Sequence, residues 1–399
     1  MEVYLDNAAT TRTIPEVAEL VKKVMTEDYG NPSSLHGKGF EAEKYIRNAS
    51  EIIAASLKVK PSEIVFTSGG TESNNNAITG VMSAGKRDGK HMITSVTEHP
   101  SVTGTCKYLE QSGYEVTYLD VDEYGRISED ELKKALRPDT VMVSVMTVNN
   151  EVGTIQDIQS LCAAVKAYDQ RIVFHTDAVQ AYGKIEMSPG RWGVDMMSVS
   201  AHKFHGPKGT GFLYIKEGTR IHPLIHGGGQ QKDRRSGTEN VPGIAGLGLA
   251  AKLANDNIRT DLENISKLKE KFVSGLSETD GVVIHGSGFG GGDLSKGSSD
   301  REERIGFSPY IISIGIRDVR AEVLLHALEE KGVYVSSGSA CSSNRPGISR
   351  TLKGMQVDKA YLDSTIRLSL SRFTSSEELD YTLDCLRELI PGLRRFVRK

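Results

Sequence analysis

The densest chemistry in this chain lies at 198–209, Ser-Val-Ser-Ala-His-Lys-Phe-His-Gly-Pro-Lys-Gly. Lys203 stands at its centre, shortly after the apolar Met196-Met197, with His202, His205 and Lys208 beside it. A lysine at the end of a buried strand loses hydration, and neighbouring cations repel its charge. Both effects lower an amine pKa, and a neutral amine can add to a carbonyl to form a Schiff base near neutral pH. A basic surface loop has the same composition, so the run by itself leaves both readings open.

Other stretches offer chemistry that complements an amine. Thr67-Ser68-Gly69-Gly70-Thr71-Glu72 joins a strand-like run to a helix start. Its glycines let backbone amides approach an anion, which the helix dipole favours. An ordinary turn capped by Thr71 reads the same way. His175-Thr176-Asp177-Ala178-Val179-Gln180 follows an apolar strand and sets a carboxylate at a strand–loop junction, where it meets a buried cation or caps a helix. His99, in Thr97-Glu98-His99-Pro100, equally suits a surface or satisfied core histidine, and Asn149, in Val148-Asn149-Asn150-Glu151-Val152-Gly153, a turn residue. Arg367, in Ile366-Arg367-Leu368-Ser369-Leu370, offers a bidentate fork for a carboxylate. A solvent-facing strand arginine is the alternative, and Arg372 competes for the role. Cys341 lies in Ser336-Ser337-Gly338-Ser339-Ala340-Cys341-Ser342-Ser343, with Arg345 just beyond. An exposed thiol near a guanidinium ionises more readily than a buried one.

These motifs, in this order and with Leu5-Asp6-Asn7-Ala8-Ala9-Thr10-Thr11 at the start, resemble the NifS/IscS-type cysteine desulfurases of the class V aminotransferase family. The resemblance covers nearly the whole chain. It implies pyridoxal 5'-phosphate, with Lys203 carrying the aldehyde and Gly70, Thr71, Ser200 and His202 on the phosphate. Asp177 would hold the pyridine nitrogen, so that the ring acts as an electron sink. Gln180 would bond the phenolic oxygen, and His99 would stack on the ring and carry protons. Asn149 would touch cofactor and substrate, and Arg367 would grip the substrate carboxylate. Cys341 would be the nucleophile that takes sulfur from L-cysteine as a persulfide, leaving alanine. Thr238, in Arg235-Ser236-Gly237-Thr238-Glu239-Asn240, would reach the phosphate in a neighbouring subunit, which implies a homodimer. A sulfur-acceptor protein, either an iron–sulfur scaffold or a thiolation enzyme, follows as a partner. The long stretch between Cys341 and Arg367 is similar to the IscS/NifS group rather than the SufS group. Gly70 stands where alanine is frequent, a change that an amide cradle should tolerate. A selenocysteine lyase or an aminotransferase would use the same lysine and aspartate, but an aminotransferase needs no nucleophile at Cys341.

Composition sets the frame for these parts. A chain of 399 residues typically makes one large domain and a smaller one. With 49 Lys and Arg against 52 Asp and Glu, nothing argues for a nucleic-acid partner. No apolar run approaches the length of a bilayer span, and the N-terminus lacks a secretory pattern. Cys106, Cys162, Cys341 and Cys385 show no CxxC spacing, which argues against structural zinc and a disulfide framework. The expectation is a cytoplasmic enzyme without metal, membrane or direct nucleic-acid contact.

Apolar runs at 63–67, 91–95, 115–119, 141–145 and 171–175 read as strands, with helical patterns from 72 and at 128–136 and 158–168. This is an α/β chain with a mostly parallel sheet, and by the resemblance a PLP-dependent transferase fold like that of aspartate aminotransferase. From about Thr260 the pattern shifts to helices at 262–276, 321–331 and 377–389 around strands at 282–284, 311–316 and 366–370. The predicted division is a large cofactor domain at 15–259, and a small α+β domain at 1–14 with 260–399 that carries the cysteine loop. The stretch 286–308, rich in Gly, Ser and charge, reads as a surface insertion. Its Gly286, Gly288 and Gly291 satisfy G-x-G-x-x-G, but no apolar helix follows to hold a pyrophosphate, which excludes a dinucleotide site.

Overall fold

The computed structural model describes residues 1–276, 279–286, 306–337 and 348–395. After a two-residue β1 (Val3–Tyr4), seven short strands follow in the first part of the chain: β2 (Ile64–Thr67), β3 (His91–Ser95), β4 (Glu115–Leu119), β5 (Thr140–Ser144), β6 (Val173–Asp177), β7 (Met196–Ser200) and β8 (Gly211–Ile215). Most are buried along their whole length, as a sheet covered by helices on both faces requires. Their order across the sheet is β2-β8-β7-β6-β5-β3-β4. Strands β7, β6, β5, β3 and β4 pair in parallel, whereas β8 runs against both β2 and β7. Two antiparallel steps leave β2 pointing the same way as the parallel set. The carboxyl ends of six strands therefore open on one side, where ligands of open α/β sheets bind.

The second part builds a smaller antiparallel sheet from β9 (Val282–His285), β10 (Ile311–Ile316), β12 (Ser336–Ser337) and β13 (Thr365–Ser369), in the order β12-β13-β10-β9. The short β11 (Val333–Tyr334) precedes β12 and pairs in parallel with β1. Val3 and Leu5 are buried in the same apolar cluster as Ile265, Ile312, Leu324 and Leu386. The chain start thus packs with the smaller sheet while its next residues reach the larger one. Ser375 and Glu378 form a reciprocal capping box that starts the C-terminal helix Ser376–Arg394.

Observed bounds differ from the sequence reading by a residue or two at most strands. Strand β8 was not anticipated as a separate strand. Nor were the helices Gly37–Leu57 and Val241–Asp256, whose glycine and alanine content weakens a periodic apolar signal. Small residues are what let them meet: a Cβ added at Gly248 would lie 2.7 Å from Ala49 Cβ. The predicted insertion at 286–308 is tied down at its end, because Gly306 O accepts from Ile155 N (3.1 Å) and Ser308 N donates to Gly153 O (2.7 Å). The rest of that stretch, including the rejected glycine motif beyond Gly286, lies outside the described residues. Among those described, no helix is long and apolar enough to cross a membrane.

Candidate active site

Strand β7 ends at Ser200, and a 3-10 turn, Ala201–Lys203, delivers the lysine beyond its carboxyl end. The N-terminal motif wraps this turn. Lys203 Nζ donates to Ala8 O (2.6 Å) and Ala9 O (2.7 Å), and Thr11 N donates to His202 O (2.9 Å). His202 Nδ1 meets Thr10 Oγ1 at 3.1 Å, and His205 N donates to Thr11 Oγ1 at 2.8 Å. Burial, and after it Lys203, holds His202 down to about 4, and burial does the same for His205. Both imidazoles are therefore neutral at neutral pH, so the crowding cations expected from them do not arise. The neighbouring amine is instead Lys184, a buried residue that the sequence reading missed.

The phosphate-cradle candidates sit at the end of β2. The helix Gly70–Ala84 begins at Gly70, with Gly69 as a cap residue and no side-chain cap, so Thr71 does not cap it. Ser200 borders this helix start: a Cβ added at Gly69 would lie 3.3 Å from Ser200 Oγ. Gly69 has φ +145°, which favours glycine. A Cβ at Gly70 would lie 2.6 Å from Val179 Cγ2, so alanine there would require Val179 to shift. Glu72 turns back to accept from Ser68 N (2.8 Å) and pairs with Arg235 (2.9 Å).

Asp177 ends β6 and is 4% exposed. Its Oδ1 accepts from Val179 N (2.9 Å), a local turn bond, and its Oδ2 accepts from Asn74 Nδ2 (2.7 Å). Asn74 spends its second N–H on Ser101 Oγ (2.8 Å), and that hydroxyl lies 2.8 Å from His99 Nδ1. His99 is the N-cap of the helix Pro100–Gln111, because Nδ1 also accepts from Ser101 N (3.1 Å). The neutral ring thus carries its proton on Nε2. Burial lowers the His99 pKa, Asp177 opposes the shift, and Lys203 adds to it. Glu98 next door is pushed up to about 8 by burial and stays protonated near neutrality.

Arg367 lies on β13 and is 1% exposed, not facing solvent, since this strand is buried along its whole length. Nη1 donates to Asn150 O (2.9 Å), Nη2 to Asp6 Oδ1 (2.8 Å), and Nε has no partner among the described residues. Its competitor Arg372 is committed to Leu253 O (2.9 Å) and Asp261 (3.2 Å). Asn149 serves its turn first, with Oδ1 accepting from Glu151 N (2.9 Å) and Val152 N (3.0 Å), while Nδ2 donates to Thr97 O (3.1 Å). Glu151 accepts from Ser349, and from Thr351 Oγ1 at 3.0 Å. Gln180 Nε2 donates to Ala8 O (2.9 Å), and its Oε1 accepts from Lys184 Nζ (3.0 Å). Thr238 is exposed. Cys341 lies outside the described residues. Cys106, Cys162 and Cys385 are buried, and burial pushes the first two thiols up to about 12.

The large-sheet candidates thus follow the carboxyl ends of β2, β3, β5, β6 and β7, and the N-terminal motif joins Lys203 and Gln180 to Arg367 through Ala8 and Asp6. Missed in the sequence reading were Asn74 and the bonding role of Ala8 and Ala9, whose side-chain types do not mark chemistry, and Lys184, which no motif flags. Pyridoxal phosphate suits what is present. Asp177 is a buried carboxylate with no ion-pair partner among the described residues, and a protonated pyridine nitrogen would supply the missing charge. The uncapped helix start offers amides to a phosphate, and the unpartnered Arg367 Nε leaves a donor for a carboxylate.

The chain belongs to the family described as aminotransferase class-V, which it matches over residues 3–382. Among curated relatives, "Cysteine desulfurase IscS" of Dictyoglomus turgidum (strain DSM 6724 / Z-1310) is 45% identical over 394 residues, covering 98% of this chain and 95% of that protein. A protein of the same name from Methanosarcina thermophila is 41% identical over 98% of this chain and 93% of its own length. Of the solved structures, a "NIFS-LIKE PROTEIN" superposes with a TM-score of 0.89 at 39% identity, over 98% of this chain and all (100%) of that one. "SspA in complex with cysteine" superposes with a TM-score of 0.77 at 32% identity, over 94% and 100% of the two chains.

Proposed function

We propose that this chain is a pyridoxal-phosphate-dependent cysteine desulfurase that transfers sulfur from L-cysteine to its own Cys341. The observation that carries the reading is the buried carboxylate of Asp177, without an ion-pair partner among the described residues, on the same sheet edge as Lys203. Relatives named cysteine desulfurase over nearly the whole length supply the reaction class. When bound, the cofactor supplies an electron sink for a carbanion at the substrate α-carbon. Lys203 would hold the cofactor's aldehyde; Gly70, Thr71, Ser200 and His202 would hold its phosphate, Asp177 its ring nitrogen and Gln180 its phenolic oxygen.

Arg367 binds the substrate carboxylate, using the nitrogen left without a partner among the described residues, with Asn149 beside it. Asp6 and Asn150 O fix the guanidinium plane so that little ordering remains at binding. Lys203 Nζ would take the α-proton as general base. His99 would face the ring with Nε2–H free to carry a proton, its Nδ1 being held by Ser101. The Cys341 thiolate attacks the substrate sulfur. A sulfur–sulfur bond forms, the carbon–sulfur bond breaks with its electron pair left on carbon, and a proton on that carbon together with return of the α-proton from Lys203 completes alanine. Buried Cys106 and Cys162, with thiols near 12, have almost no thiolate to compete.

The division at 15–259 and 1–14 with 260–399 belongs to the same proposal, as does a homodimer in which Thr238 completes the partner's phosphate site. Exposed Tyr29, Leu35 and Phe40 give a second copy apolar surface to cover. The sulfur leaves for an acceptor protein, an iron–sulfur scaffold or a thiolation enzyme, in the cytoplasm. The test is alanine formation from L-cysteine by the holoprotein, beside Lys203→Ala. The wild type should show a visible cofactor band and make alanine, and the variant should do neither. Alanine formation undiminished in Lys203→Ala would overturn the assignment.

A further inference from the structure

Lys184 belongs to none of the motifs above, yet it is 6% exposed and lines one cavity with Lys203, His205, Tyr310 and Arg372. It pairs with no carboxylate among the described residues. The one acid on that cavity, Asp261, is engaged by Arg372 at 3.2 Å. Lys184 Nζ lies 5.7 Å from the Tyr310 ring centroid and donates to Gln180 Oε1 at 3.0 Å. Lys203 and Arg367 add repulsion to the burial that pushes this amine down to about 7. A buried ammonium without a counter-ion is costly, so its position calls for a return.

The hydrogen-bond directions supply one. The two ends of a glutamine amide are interchangeable in shape, and only their partners decide which end faces where. Charged, Lys184 only donates, and neutral it still has N–H groups to give, so Gln180 turns its oxygen to Lys184. Nε2 then faces Ala8 O at 2.9 Å and keeps a second N–H. We propose that Lys184 is a positioning residue that sets the polarity of Gln180, so that the cofactor's phenolic oxygen meets an N–H donor and never the amide oxygen. This rests on the cofactor reading above and adds to it the residue that orients the ligand. Without Lys184 only Ala8 O holds this polarity, and the amide turns its lone pairs toward an anionic oxygen more easily. That oxygen would then hold the proton it shares with the lysine-bound nitrogen more tightly.

The test is a pH titration of the visible band of the holoprotein in the wild type, Lys184→Met, Lys184→Arg, Gln180→Leu and the double variant Lys184→Met/Gln180→Leu. Losing the donor makes the shared proton harder to remove, so Lys184→Met should move the midpoint up by about one pH unit. Gln180→Leu should do the same, the double variant should go no further, and Lys184→Arg should stay near the wild type. Methionine keeps volume and removes an unpaired buried charge, so the cofactor-free Lys184→Met protein should melt no lower than the wild type. An unchanged midpoint in Lys184→Met beside a shifted one in Gln180→Leu would overturn the proposal. So would shifts that add in the double variant, or a lowered melting temperature with loss of cofactor. A wild type without the band would instead remove the cofactor reading itself.

Discussion

Asn74 does no chemistry, yet it decides how two residues that do are held. Its two N–H groups bind Asp177 Oδ2 at 2.7 Å and Ser101 Oγ at 2.8 Å, which leaves the serine hydroxyl to donate to His99. Asn74→Ala would strand two buried acceptors, each costing about 1–3 kcal/mol. Chemical denaturation of the cofactor-free protein should register that loss, and the cofactor should dissociate faster. Unchanged values for both would contradict the role. Arg367→Lys keeps the charge but not the fork, so KM for L-cysteine should rise about tenfold, equivalent to about 1.4 kcal/mol. Steady-state kinetics checks this, and a lowered kcat at unchanged KM would count against carboxylate binding. The two residues also differ in how much the sequence reveals. Arg367 stood out as a guanidinium in a strand, although nothing local told that its strand is covered on both faces. Asn74 and Lys184 gave no signal, because their roles come from partners at Ser101, Asp177 and Gln180 that only the fold brings near.

The helix Gly70–Ala84 and the turn after β6 meet at one tight point, and this sets the element-scale test. A Cβ at Gly70 would lie 2.6 Å from Val179 Cγ2, whereas its next neighbour, Ser200 Cβ, is 3.6 Å away. Gly70→Ala should therefore push the helix start off the Asp177 turn and weaken cofactor binding severalfold. Gly70→Ala/Val179→Ala should restore it, as equilibrium binding of pyridoxal phosphate would show. Elements with strong apolar runs, such as β5 and β10, were legible from sequence because a doubly covered strand has few other compositions. The helix Val241–Asp256 was not, since its glycines and alanines serve close packing against Gly37–Leu57 and erase the amphipathic stripe. The N-terminal motif was visible as a pattern, but its task of accepting Lys203 on Ala8 O and Ala9 O uses backbone atoms that no side chain advertises.

At the scale of the molecule, buried histidines make stability depend on pH. His175 is held at about 3 and His91, His202, His205 and His285 at about 4, in each case chiefly by burial, against 6.5 for the free side chain. Their folded values are depressed, so the unfolded chain binds more protons below 6.5. Their contribution is present above that pH and is lost as pH falls toward 4. Glu98 acts the other way, since a carboxyl raised from 4.5 to about 8 contributes at low pH and loses that contribution as pH rises between those values. Burial lowers His99 in the same sense as the five and raises Glu151 and Asp261 in the sense of Glu98; the histidines prevail, so the melting temperature of the cofactor-free protein should drop between pH 6.5 and 4. A scanning calorimetry series checks it, and a flat profile would contradict the buried, neutral state of these rings. The central claim is sulfur transfer to Cys341. One measurement addresses it most directly: alanine formed from L-cysteine by the wild-type holoprotein beside Cys341→Ala, with the cofactor spectrum followed in the same cuvette. The account predicts alanine from the wild type alone, with L-cysteine changing the spectrum of both proteins. Equal alanine from both would contradict it.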